Sequence, residues 1–120
     1  MRRFLLLLSF LTFVISLEAQ SDYYMRQARS YQREAEYYIK QAQGYDKEVE
    51  YYNRLVQTYL HEAEYYSKRA EYNKVRSYQR KAKDATEKSE SYKRKADNAR
   101  DTAKSYMRKA EKALQNANNR

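Results

Sequence analysis

His61 is the one histidine of a 120-residue chain that has no cysteine, and with Glu62 it opens like a zinc-binding helix motif. That motif needs a second histidine one helical turn later, so that two imidazoles reach one metal from the same face. Tyr65 stands there instead, and His61 falls in a row otherwise made of lysine and arginine. No thiol is present, and no loop is long enough to gather groups from distant positions. The chain is therefore expected to be no enzyme and to hold no metal or cofactor.

Two other chemistries have candidate residues. The chain has 15 tyrosines, and phenols outside the cell can be hydroxylated or coupled in pairs. Tyr23, Tyr37, Tyr51 and Tyr65 are the candidates for such modification, because they flank an apolar stripe and are expected to be exposed. Anion binding is the other chemistry. Arg80, Lys81, Lys93, Arg94, Lys95, Arg108 and Lys109 crowd the second half and suit anionic matrix polymers, anionic protein or lipid. Nucleic acid is not an expected partner of an exported chain. Insertion into a membrane is disfavoured because few large apolar residues accompany these charges.

The elements that carry these residues follow from a repeat. Tyr-x-[Arg/Lys]-x-[Ala/Val] begins at Tyr24, Tyr38, Tyr52, Tyr66, Tyr78, Tyr92 and Tyr106, at spacings of 14 residues except for a single 12 between Tyr66 and Tyr78. The first half keeps a strict heptad: Tyr24, Tyr31, Tyr38, Tyr45, Tyr52, Tyr59 and Tyr66 form one row, and Ala28, Ala35, Ala42, Val49, Val56, Ala63 and Ala70 another. With the small row at a and the tyrosine row at d, both lie on one seam, the pattern of a coiled coil; this seam is the predicted assembly surface. Position f holds Arg26, Arg33, Lys40, Lys47, Arg54, His61 and Lys68, a row expected to face water. Asp22, Glu36, Glu50 and Glu64 precede four of these by one turn, in the favoured orientation for helix ion pairs. Gly44 sits at c among Ser30 and Thr58 and need not break the helix.

Beyond the irregular step the seam thins. Val75, Ala82, Ser89, Ala96, Ala103, Ala110 and Ala117 take a, while Tyr78, Ala85, Tyr92, Ala99, Tyr106 and Ala113 take d. Twelve residues at about 100° each turn Tyr78 roughly 120° away from Tyr66, so one seam cannot run through. Either the chain folds back as a hairpin near Tyr72-Asn73, or a long helix presents two seams to different partners. Proline is absent and Gly44 is the single glycine, which favours the long helix; packing large tyrosines against small alanines favours the hairpin. The first expectation is the long helix, kinked near residues 70–75 and stabilised by association; the hairpin is the second. The fold class is all-α in either case.

Composition sets the organisation and the compartment. Met1-Arg2-Arg3, an apolar run from Phe4 to Leu17 and a small Ala19 read as a signal peptide over residues 1–19; cleavage after Ser16 and an uncleaved anchor are the alternatives. Residues 20–70 then carry 8 basic and 8 acidic residues with 11 tyrosines, and residues 71–120 carry 15 basic and 7 acidic residues with 4 tyrosines. No second apolar run follows, so no transmembrane segment is expected after cleavage. Large aliphatic residues are so scarce after the leader that a self-sufficient globular core is not expected. In composition the chain resembles the secreted repeat proteins of invertebrate shell, byssus and adhesive matrices.

These features predict a secreted, extracellular structural protein of a matrix or fibre, joined to itself or to other helical proteins through the Tyr/Ala seam. The alternative is a secreted cationic helical effector that binds anionic membranes or polyanions. A bacterial envelope protein with periplasmic helices is a third.

Overall fold

A computed structural model describes the backbone of residues 2–119 and the side chains of residues 20–119. The predicted leader and its cleavage site fall outside the residues whose side chains are described. The protein is an all-α helical hairpin: α1 runs Arg2–Lys68 and α2 runs Tyr72–Asn118. Among the described residues no helix is long and apolar enough to cross a membrane. The hairpin, the second of the two expectations, thus replaces the long helix.

The reversal lies slightly earlier than Tyr72-Asn73, at Arg69, Ala70 and Glu71. Ala70 takes a left-handed backbone, φ 58°. Its N–H donates to the Ser67 carbonyl at 3.1 Å, and the Glu71 N–H donates to the Tyr66 carbonyl at 3.1 Å. This pair of bonds is the Schellman ending of a helix, with alanine where glycine is usual. The Glu71 carbonyl then accepts the N–H groups of Lys74 at 3.1 Å and Val75 at 3.2 Å, so α2 starts without a linker. The Glu71 carboxylate lies 4.0 Å from the Lys74 ammonium, a charge suited to a helix N-terminus. Tyr72 and Asn73, where the reversal was expected, are helical residues of α2.

The chain forms two compact units, Met1–Tyr37 with Thr102–Arg120 and Tyr38–Asp101. In the second, ring contacts fix an antiparallel register. Tyr78 touches Tyr59 and Tyr66, with ring centroids 6.2 and 5.6 Å away, and Tyr92 touches Tyr45 and Tyr52 at 6.1 and 5.7 Å. A ring that touches two successive tyrosines of the facing helix lies across from the residue between them, which places Ala63 opposite Tyr78 and Val49 opposite Tyr92. The buried residues of this unit are Ala42, Ala63, Ala82, Ala85, Ser89, Ala96 and Ala99. Small side chains let the two backbones approach, and the half-buried tyrosines roof the gap from both helices. In the first unit the buried residues are Ala28, Ala35, Ala103, Ala110, Ala113 and Ala117, and Tyr31 of α1 lies 6.2 Å from Tyr106 of α2.

Backbone chemistry at two positions is misallocated. Gly44 is exposed in mid-helix, and a methyl group there would meet nothing within 4 Å. Ala70 occupies the left-handed position that glycine favours. Gly44→Ala is expected to stabilise the fold by about 1 kcal/mol, and Ala70→Gly by about 1 kcal/mol. Urea unfolding followed by circular dichroism checks both.

Candidate functional site

The residues predicted to form an intermolecular seam meet within one chain. Along a, Ala28, Ala35, Ala42 and Ala63 are buried, and Val49 and Val56 half-buried. Along d, Tyr24, Tyr31, Tyr38, Tyr45, Tyr52, Tyr59 and Tyr66 are all half-buried. Stacking is what sequence reasoning missed: the Tyr52 and Tyr92 rings lie 12° from parallel, and those of Tyr66 and Tyr78 lie 7° from parallel. Such contacts add about 0.5–1.5 kcal/mol per pair beyond simple burial.

In each unit lysine ammoniums cover seam rings along one edge. The ammonium of Lys81 stands 5.0 Å from the centre of the Tyr78 ring, Lys95 5.0 Å from Tyr92, and Lys109 5.0 Å from Tyr106 and 5.9 Å from Tyr31. Lys88 lies 5.5 Å from Tyr52 and Lys74 4.7 Å from Tyr66. Each contact is worth about 0.5–1 kcal/mol at exposed sites. Three of the seven candidate anion-binding residues, Lys81, Lys95 and Lys109, therefore cap tyrosines. Arg80, Lys93, Arg94 and Arg108 are exposed, but Glu87 and Asp101 alternate with the three arginines in their heptad row, so the structure gathers no pure cationic patch. His61 is exposed on α1.

Polar contacts mark the opposite edge in the unit of residues 38–101. The Ser89 hydroxyl donates to the Asn53 amide oxygen at 2.6 Å, which satisfies the one buried polar residue among those described. Arg100 bonds the Asp46 carboxylate across the hairpin and Asp97 on its own helix at 3.3 Å. The hydrogen bond to Asp46 holds the Arg100 guanidinium above its ordinary pKa. Of the predicted ion pairs along α1, Glu64 and Lys68 meet at 3.6 Å.

The four tyrosines singled out for modification are exposed, as their heptad position implied. Tyr23 and Tyr37 lie in one unit, Tyr51 and Tyr65 in the other. Tyr23, Tyr51 and Tyr65 each set an edge against the ring of the next tyrosine, at 5.4, 5.1 and 5.1 Å. Arg69 covers the Tyr65 ring at 4.4 Å.

At two of the alanines in the d row of α2 the roof opens. Beside Ala85 a groove of 210 Å³ lies between Tyr52 and Tyr59, with Leu55 of α1 and Lys81, Asp84 and Lys88 of α2 around it. In the other unit a groove of 120 Å³ beside Ala113 is lined by Tyr31, Gln27, Lys109, Lys112 and Asn116. The sequence signal for these grooves was the alternation of tyrosine and alanine at d in α2 against an unbroken tyrosine row in α1.

The fold and seam thus define a tyrosine-zippered helical hairpin. No known protein family matches the chain, and no curated protein or solved structure matches it. Tyr92→Ala, which removes a ring touching two others, is expected to destabilise the fold by about 2 kcal/mol. Tyr51→Ser on the outer row should stay within about 0.5 kcal/mol. Equal costs in urea unfolding would contradict the division into seam and surface tyrosines.

Proposed function

We propose that this chain is an exported structural protein of an extracellular matrix or fibre, acting by self-association and not by catalysis. The observation that supports this reading is the division of labour among its tyrosines. One row is spent inside the hairpin, while Tyr23, Tyr37, Tyr51 and Tyr65 recur every 14 residues on the outside, each about half exposed or more. Exposed aromatic rings at a fixed period contribute little to the fold and give a surface suited to association. Because the seam closes within one chain, self-association falls to these outer tyrosines. They are also the phenols open to oxidative coupling in a secreted material. Arg80, Lys93, Arg94 and Arg108 extend the reading to secondary contacts with anionic matrix polymers.

Sedimentation equilibrium with circular dichroism on the chain from Gln20 onward tests it. The expected result is a chain already helical at low concentration that associates as concentration rises. Replacing Tyr23, Tyr37, Tyr51 and Tyr65 together by serine should keep the helicity and abolish the association. A wild-type chain that stays monomeric at every concentration and salt level would contradict a structural role by self-association.

A further inference from the structure

The groove beside Ala85 is a vacancy in the ring pattern. Tyr78 enters between Tyr59 and Tyr66, and Tyr92 between Tyr45 and Tyr52. The slot between Tyr52 and Tyr59 is of the same kind, but α2 offers it only the methyl group of Ala85. Neighbouring slots each hold a tyrosine ring, so this one has the width for a ring. It is lined by Tyr52 and Tyr59, Leu55 gives it an apolar side, and α2 lines it with Lys81, Asp84 and Lys88 besides Ala85. Among the described residues no ring fills it; the Lys88 ammonium stands 5.5 Å from the centre of the Tyr52 ring.

Tyr51 is an available ring on the same flank. It is 50 % exposed, its edge rests against the Tyr52 ring that forms one wall, and Leu55 lies one helical turn further along α1. Donor and slot therefore occupy one patch. A patch that carries both a protruding ring and a ring-sized slot is self-complementary, the requirement of a two-fold interface. Charge points to the same pairing of helices. Residues 20–68 of α1 carry seven basic and eight acidic residues, while residues 72–118 of α2 carry fourteen basic and six acidic. Contact of α2 with α2 is repelled, whereas α1 of one copy, close to neutral, meets α2 of the other without that repulsion.

We infer that the groove between Tyr52 and Tyr59 is the docking slot for Tyr51 of a second copy of this chain, exchanged reciprocally to give a dimer. The inference rests on the self-association proposed above and names its first contact. Tyr51 enters over Ala85, completes the ring stack that α2 leaves open, and comes within reach of Lys81 and Lys88.

Ala85→Tyr tests it, because a tyrosine at residue 85 fills the slot from within. This variant should keep its helicity and unfold at a higher temperature, yet its dimer dissociation constant in sedimentation velocity should rise at least tenfold. Tyr51→Ser should weaken the dimer as much while every seam residue stays in place, whereas Leu60→Ser on the far edge should leave it unchanged. If the wild type dimerises and Ala85→Tyr and Tyr51→Ser dimerise equally well, the slot is overturned while self-association stands. A wild type that remains monomeric overturns both. So does a monomer whose groove instead takes free 4-hydroxyphenylacetate, with binding lost in Ala85→Tyr; the slot would then belong to a small aromatic acid.

Discussion

Size mismatch across the seam is the constraint on which the rest depends. A helix with a tyrosine at every d position cannot pack closely against a copy of itself in parallel, because large rings would meet large rings at the same level. Turned antiparallel, d faces a, and each ring finds a small residue opposite: Tyr78 faces Ala63 and Tyr92 faces Val49 in the register set by the ring contacts. Alanine then lets the backbones approach until rings from the two helices interleave. The 12-residue step between Tyr66 and Tyr78 is the covalent counterpart of that arrangement, since it ends one seam and restarts the other on a helix that has reversed.

Stability built this way differs from that of a leucine core. Every fully buried hydrophobic side chain described is an alanine, so transfer of apolar area contributes modestly per residue. The tyrosines add flat contacts to each other and receive lysine ammoniums on their faces, a set of small terms distributed along the helices. No single layer dominates. The same economy leaves one flank open beside Ala85 and beside Ala113, and it leaves an outer tyrosine row about half exposed.

Much of this was legible in the residues. The heptad rows separated the seam tyrosines from Tyr23, Tyr37, Tyr51 and Tyr65, and the structure buries and exposes them accordingly. The choice of hairpin over long helix was not legible from local propensity. The turn uses no glycine or proline and relies on Ala70 in a left-handed conformation, which tertiary pairing of the two seams enforces against an unfavourable backbone. Nor was the destination of the lysines visible. Lys81, Lys95 and Lys109 read as part of a basic surface, yet each stands three residues after a seam tyrosine and folds onto its ring. The grooves required the register, because Ala85 becomes a vacancy only when Tyr52 and Tyr59 are placed on either side of it.

The central claim is that the tyrosine seam closes inside one chain, antiparallel, with Tyr78 between Tyr59 and Tyr66. Isotope-filtered nuclear Overhauser measurements on a mixture of labelled and unlabelled chains test it most directly, since they separate contacts within a chain from contacts between chains. The account predicts that the Tyr78 ring protons cross-relax with those of Tyr59 and Tyr66 within the labelled chain, at concentrations too low for association. Finding these contacts only between chains, or finding Tyr78 near neither ring, would contradict it.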